Sequence, residues 1–221
     1  MSLGGDKCEL CGDHGGYLYL LTLKRLCFLC QTEDKQVLPL TPARVLYRYN
    51  LPEDAVNIIP SALSLPGIYG SEKRFPKEHR PRQLLDPVSA HTIARIFLGP
   101  DIVDVEGPPR NTMQFAMQTL DDPDGTHPDE WDYNGGSNNP LRFMAVVRMP
   151  AMDKLTGRSM QTGFCNACLR LGDNEDRRYS WRREYTRITF AEHVKECGWL
   201  EQDPTTKFWS HRKLDTDAEP P

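Results

Sequence analysis

All seven cysteines of the chain fall into two groups that have the spacing of metal ligands. The first group reads C-x2-C-x15-C-x2-C, and two such pairs can bring four thiolates onto one tetrahedral ion. The second group reads C-x2-C-x24-H-x3-C, in which a histidine supplies the fourth ligand. The predicted ligands are Cys8, Cys11, Cys27 and Cys30 at the first site and Cys165, Cys168, His193 and Cys197 at the second. Two Zn2+ ions are therefore the predicted cofactors.

Alternatives to these ligand sets remain open. Either group could instead be buried or redox thiols, and His14 is a rival ligand in C-x2-C-x2-H. His14 is assigned to a loop beside Gly15, because four cysteines already suffice. The remaining histidines are assigned to the surface rather than to a metal; they are His79, His91, His127 and His211.

The two sites predict structure rather than catalysis. A structural zinc site fills all four positions with protein atoms, whereas a catalytic site keeps one for water or substrate. The sequence has no H-E-x-x-H, G-x-S-x-G, G-x-G-x-x-G or P-loop motif, and the deaminase signature is missing. The acidic run over 121–132 could imitate the carboxylate site of an enzyme, but it is interpreted as a solvated loop. We therefore expect a protein that is not an enzyme.

Composition limits the core and the compartment. Only 38% of the 221 residues are hydrophobic, and 16 Gly and 18 Pro indicate long loops, so metal is expected to be a main source of stability. No apolar run spans a bilayer and no secretory leader is recognisable, which predicts a non-membrane protein of the nucleus or cytoplasm with reduced thiols. A net charge of -4 gives no overall attraction to nucleic acid.

Helix caps and turn residues position the predicted sites. Helices are predicted at 42–49, after Thr41, and at 87–98, after Asp86, since each begins with a capping residue followed by proline. A strand is predicted within 17–22 and the clearest one at 142–149. A helix over 190–197, with a capping box at 189–192, would place His193 and Cys197 on one face.

The predicted fold class is α+β, small and loop-rich, with an N-terminal four-cysteine zinc-knuckle module and a C-terminal zinc module of three cysteines and one histidine. Four consecutive segments follow from the turn and charge pattern. They are 1–70 (four-cysteine module, helix and wrapping segment), 71–85 (basic connector), 86–200 (helix, acidic loop, strand and second zinc module) and 201–221 (largely disordered tail).

One segment suggests nucleic acid as an alternative partner. Basic and aromatic side chains alternate between the second Cys pair and its helix, a mixture that can pair with phosphates and stack on bases. They are Arg177, Arg178, Tyr179, Trp181, Arg182, Arg183, Tyr185 and Arg187. An exposed basic hairpin whose aromatics pack on the zinc module is favoured over this interpretation, because the whole chain is acidic.

The order of several motifs resembles the region after the F-box in filamentous-fungal F-box-domain proteins. The first half carries CELCG at 8–12, GYLYLLTLKRLCFLC at 16–30, LPL at 38–40 and LPGIY at 65–69. The second half carries RFMAVVR at 142–148, TG at 156–157, GFCNAC at 163–168 and FAEHVKEC at 190–197. These motifs cover most of residues 7–200.

The resemblance implies a protein-recognition module, such as the substrate receptor of a ubiquitin ligase. Members of that group usually carry an N-terminal F-box, a helical motif that docks a Skp-type adaptor of a cullin ligase. Only residues 1–7 precede the first predicted ligand here, and the sequence contains no F-box. We therefore expect a protein partner, whose identity the sequence does not give, without the adaptor and cullin contacts.

Overall fold

The computed structural model describes residues 5–69, 78–102, 139–153, 156–170 and 180–212. The fold is mixed α+β, as predicted. The helices are α1 (Phe28–Glu33), α2 (Pro42–Tyr49), α3 (Glu53–Val56), α4 (Pro87–Leu98), α5 (Leu141–Met144) and α6 (Arg187–Cys197). Short 3-10 turns lie at Lys35–Val37, Cys168–Arg170 and Ser180–Arg182.

The strands are short and build small sheets. β1 (Tyr17–Tyr19), β2 (Lys24–Leu26) and β7 (Val146–Arg148) form one sheet in the order β2-β1-β7. The antiparallel pairs are β3 (Ser61–Leu63) with β6 (Gln83–Leu85), β4 (Gly67–Ile68) with β5 (Glu78–His79), and β8 (Trp199–Gln202) with β9 (Trp209–Arg212). Within the described residues, no helix has the length and apolar content that crossing a membrane requires.

The chain divides into two compact units that interleave along the sequence. The first comprises residues 1–17, 25–29 and 149–221, and the second comprises 18–24 and 30–148. The four consecutive segments predicted from the sequence do not have these boundaries. The basic connector falls partly, and the acidic run over 121–132 entirely, outside the described residues.

The second unit has its own apolar core, built on α2, α3 and α4. Buried side chains from these helices pack with β6 and with the chain before α2. They are Leu40, Val45, Tyr49, Leu51, Ala55, Val56, Ile59, Leu85, Ala90 and Ala94. Both predicted caps are confirmed: the Thr41 hydroxyl accepts from the Arg44 amide, and the Asp86 carboxylate accepts from the Ser89 amide at 2.8 Å.

Asp86→Ala is expected to destabilise the second unit by about 1 to 2 kcal/mol, since a buried cap loses its bonds to the Ser89 amide and hydroxyl. Asp86→Asn keeps an acceptor and should recover most of the loss. Denaturant unfolding followed by far-UV circular dichroism measures both variants. Equal stability of Asp86→Ala and the unaltered chain would contradict the capping role.

The strand predicted at 142–149 is correct only in its second half, β7. Its first half is the helical turn α5, which starts where the Asn139 side chain accepts from the Leu141 amide at 3.0 Å. The turn buries Arg142, whose guanidinium donates to the carbonyl oxygens of Gln31 at 3.2 Å and Asp34 at 2.8 Å. Burial lowers the pKa of Arg142 to about 10, which keeps it charged at neutral pH. A buried cation needs such carbonyl partners, and a continuous strand would not provide them.

Three other details differ from the sequence-based expectations. Helix α6 starts at Arg187, three residues early, because Thr186 and Thr189 cap each other's backbone in place of the predicted box at 189–192. In the predicted tail, β8 and β9 form a hairpin up to residue 212, and 213–221 lie outside the described residues. His79, assigned to the surface, is buried beside the Tyr69 ring.

Candidate metal centres

The first candidate centre is built from two tight turns. Cys8 and Cys11 lie in a turn closed by a bond from the Gly12 amide to the Cys8 carbonyl at 2.9 Å. Gly12 has a φ of 82°, a conformation that glycine adopts without strain. Cys27 directly precedes α1, and Cys30 lies in its first turn. The two turns are joined by a bond from the Glu9 amide to the Arg25 carbonyl at 2.9 Å.

The four thiols of this centre converge as their spacing predicts. The sulfur atoms of Cys8, Cys11, Cys27 and Cys30 all lie within 4.8 Å of one another. The Cys11 and Cys27 sulfurs are 3.6 Å apart, close to the roughly 3.8 Å edge of a tetrahedron with zinc–sulfur bonds of about 2.3 Å. None of the seven cysteines, all of which lie within the described residues, forms a disulfide, so a disulfide does not explain the approach. The rival ligand His14 is not in this group. Its backbone instead pairs with that of Lys7 in an isolated antiparallel β-bridge.

Arg25 and the glycine pair support the first centre. The buried Arg25 guanidinium donates to the carbonyl oxygens of Gly15 and Met149, both at 2.7 Å. The Gly16 carbonyl accepts from the Met149 amide at 2.8 Å. A Cβ at Gly16 would collide with the carboxylate at the end of the buried Glu184 side chain, which would have to shift to admit a larger residue. Gly16 therefore packs the segment after Cys11 against Glu184 and hydrogen-bonds it to Met149.

Gly16→Ala is expected to lower stability by about 1 to 3 kcal/mol, because the buried Glu184 carboxylate has to shift to admit the methyl group. Gly163→Ala is the matched control, since a Cβ there meets nothing within 4 Å. The thermal unfolding temperatures of both variants test the prediction. If the Gly16 variant is as stable as the Gly163 variant, the close packing of Gly16 on Glu184 is refuted.

The second candidate centre takes its four ligands from three pieces of chain. Cys165 precedes the 3-10 turn that begins at Cys168, and an antiparallel bridge between Gly163 and Tyr185 connects this region to the start of α6. Helix α6 carries His193, and β9 of the following hairpin carries His211. In the hairpin His211 pairs with Leu200.

The ligand atoms of this centre are Cys165 Sγ, Cys168 Sγ and one ring nitrogen each of His193 and His211, all within 4.8 Å of one another. His211 Nε2 lies 3.2 Å from Cys165 Sγ and 3.4 Å from Cys168 Sγ, and His193 Nε2 lies 3.5 Å from Cys168 Sγ. A tetrahedral zinc ion with two sulfur and two nitrogen ligands has sulfur–nitrogen edges of about 3.6 Å. The group therefore has the dimensions of a zinc site with two cysteine and two histidine ligands.

The structure corrects one predicted ligand. His211, assigned to the surface from the sequence, takes the fourth place, and Cys197 is not in the group. Cys197 Sγ lies 3.4 Å from His193 Nδ1, the nitrogen on the far side of the ring from the ligating Nε2. The helix brings His193 and Cys197 close together, as predicted. The Cys197 sulfur faces Nδ1, however, whereas Nε2 faces the other ligands, so the two side chains cannot bind the same ion.

The sequence contained a signal for the missed ligand. Two short segments with aromatic residues, 199–202 and 209–212, flank a turn at Asp203, whose carboxylate accepts from the Thr205 amide at 2.7 Å and the Thr206 amide at 2.9 Å. Short β-prone segments around such turn residues predict a hairpin. A hairpin directly after α6 would have made His211 a candidate.

The second centre is buried and chemically suited to a metal. Cys165, Cys168 and His193 are buried, with Trp181, Tyr185, Phe190 and Leu200 packed against the cysteines. Hydrogen bonds, first of all with the Cys168 thiol, lower the pKa of Cys165 below its usual value. This shift favours the thiolate, which is the metal-binding form. Burial, followed by the charges of the nearby thiolates, raises the pKa of Tyr185, which stays a neutral ring against the site.

The basic and aromatic segment is only partly described. Arg177, Arg178 and Tyr179 lie outside the described residues. The Arg182 guanidinium sits 4.4 Å above the Trp181 ring, and Arg183 pairs with Asp13 at 3.3 Å. Trp181 and Tyr185 pack against the buried cysteines of the second centre, as expected of the aromatic side chains. The described part of the segment forms a 3-10 turn at Ser180–Arg182, and both the expected hairpin and binding of nucleic acid stay predictions.

Comparison of the chain with protein-family models, with curated proteins and with solved structures gives no match. The two Cys/His centres are therefore the features from which a function can be argued.

Proposed function

We propose that the chain is a non-catalytic protein-interaction module that two structural zinc ions hold in shape. The observation that carries the proposal is that each centre gathers four protein ligand atoms within 4.8 Å. Four protein ligands leave no position for water or substrate, and this distinguishes a structural ion from a catalytic one. When bound, the ions would supply cross-links between short elements that have few apolar contacts of their own.

Exposed apolar side chains support the interaction role. Four large ones lie within residues 58–68, and each is more than half exposed. They are Ile58, Leu63, Leu65 and Ile68. Isolated exposed apolar residues are ordinary, whereas exposed apolar residues that together form one patch mark surfaces that bind other proteins. We propose that these four side chains form such a patch.

The edge of β3 also supports recognition of an extended chain. Ser64 donates its amide to the Arg82 carbonyl at 2.8 Å, and Pro60 accepts from the Asp86 amide at 3.1 Å. Backbone groups alternate in direction along an antiparallel strand, so those of Ser61 and Leu63 point away from β6. Such an edge can accept an added strand from a partner.

The resemblance of the motif order to that of fungal F-box-domain proteins motivates a narrower version of the proposal. In that version the partner is a protein to be ubiquitylated, and the module acts inside the cell, where its thiols stay reduced. Contacts with a Skp-type adaptor or a cullin are not part of the proposal.

Capture of partners with the zinc-loaded chain tests the interaction role. We expect nuclease-resistant protein partners that are lost in the double variant Leu63→Glu and Leu65→Glu, both of which alter exposed side chains. Ile188→Glu is the matched control, because Ile188 is equally exposed but lies on α6, outside residues 58–68. Capture of nucleic acid alone would refute the proposal and favour the basic segment of 177–187.

A further inference from the structure

We propose that Cys197 and Gly198, two consecutive residues at the end of α6, position both imidazole ligands of the second centre by accepting their Nδ1 protons. The inference rests on the proposed zinc function of this centre. An imidazole that binds an ion through Nε2 must carry its proton on Nδ1, and the partner of Nδ1 fixes both this tautomer and the orientation of the ring.

The tautomer of His211 follows from its partner. His211 Nδ1 lies 2.9 Å from the Gly198 carbonyl oxygen. A carbonyl oxygen can only accept, so Nδ1 is the protonated nitrogen and Nε2 carries the free electron pair. That pair faces the sulfurs of Cys165 and Cys168, at 3.2 Å and 3.4 Å. The geometry of His211 is therefore already that of a metal ligand.

His193 has the same arrangement with sulfur in place of oxygen. Its Nε2 faces Cys168 Sγ at 3.5 Å, while its Nδ1 faces Cys197 Sγ at 3.4 Å. Because Nε2 has to keep its electron pair for the ion, Nδ1 donates and the Cys197 sulfur accepts. The Tyr185 ring stacks on His193 at 4.4 Å between centroids, with 29° between the planes, and holds the imidazole in this orientation.

The backbone at the end of α6 fixes the position of both acceptors. The Gly198 amide donates to the Val194 carbonyl at 2.9 Å, which holds the residue against the last helical turn. Gly198 has φ 101° and ψ 166°, a conformation that is restricted almost entirely to glycine. A side chain at this position would strain the backbone and turn the carbonyl away from His211.

Cobalt titration tests the role of Cys197. We expect Cys197→Ala to lower the affinity of the second centre about 10- to 100-fold, the range for loss of a partner of a ligating histidine. Cys197→Ser keeps an acceptor and should recover part of the affinity. The thiolate-to-cobalt absorption of the loaded second centre should stay unchanged in both variants, because Cys197 is not a ligand in this account.

Gly198→Ala should lower the cobalt affinity in the same way. Gly99→Ala is its matched control, since Gly99 ends α4 with nearly the same backbone, φ 98° and ψ 173°, and its added Cβ meets nothing within 4 Å. The Gly99 variant should share the backbone strain and keep the cobalt affinity of the second centre. Equal losses in the two variants would overturn the positioning role of Gly198.

Three results would overturn the role of Cys197. Absorption reduced by one thiolate in Cys197→Ala would show that Cys197 is a ligand, and unchanged affinity would show that it has no part in the centre. The four-cysteine centre serves as an internal reference for folding, and equal loss of cobalt at both centres would also refute a local effect. If the unaltered chain takes up only one ion, the zinc function of the second centre fails, and the inference fails with it.

Discussion

Removal of both zinc ions with a strong chelator under reducing conditions is expected to unfold the segments around the two centres. Structural zinc contributes apparent binding energies of about 10 to 16 kcal/mol, and most of this is folding energy. Among the described residues around the second centre, the fully buried apolar group consists of Cys165, Ala167 and Cys168, two of which are proposed ligands, and only partly buried side chains pack against it. Such a group cannot replace the stabilisation that the ion provides.

The ten buried residues of the α2–α4 core give a contrast within the same chain. None of these ten residues is a ligand of either centre, so the core should keep most of its structure after chelation. Hydrogen exchange with peptide-level mass spectrometry separates the two regions. We expect exchange to rise strongly at 163–170 and 187–212, to rise much less at 42–59 and 84–94, and to recover when zinc is added back. Unchanged exchange at 163–170 would refute a structural role for the second ion.

Loss of one ion is the expected result of His211→Ala. The substitution removes a nitrogen ligand 3.2 Å from Cys165 Sγ and opens one position of the tetrahedron to water. Since loss of an outer partner already costs about 10- to 100-fold in affinity, loss of a ligand should exceed this range. Competition with a chromophoric chelator measures the affinity, and elemental analysis gives the number of ions.

His14→Ala is the control for this experiment. His14 follows the first Cys pair in a plausible ligand spacing but does not belong to the four-cysteine group. The His14 variant should keep both ions and the His211 variant one. Two ions in the His211 variant would restore Cys197 as the fourth ligand, and one ion in the His14 variant would contradict the assignment of the first centre to four cysteines.

Local signals explain what the sequence predicted correctly. The C-x2-C pairs at 8–11 and 27–30 each fit into one turn, and the caps Thr41 and Asp86 act on amides three residues away. Interactions at such short range depend on a few neighbouring residues, so the residue types alone are informative. The four-cysteine set and helices α2 and α4 were predictable for this reason.

The errors come from contacts between residues far apart in the chain. Arg142 is buried because carbonyl groups more than a hundred residues earlier accept its protons, and no local pattern at 142–149 records this. His211 enters the second centre through strand pairing after α6. Spacing placed Cys197 near His193 but could not show which ring nitrogen it faces. Seven of the eight ligands were thus predictable from the sequence. The eighth depended on the hairpin that carries His211 and on the orientation of the His193 ring.

Elemental analysis of the intact chain, purified under reducing conditions without added metal, tests the central claim most directly. We predict two zinc ions per chain, one for each group of four ligand atoms. A folded chain that contains no zinc would contradict the account.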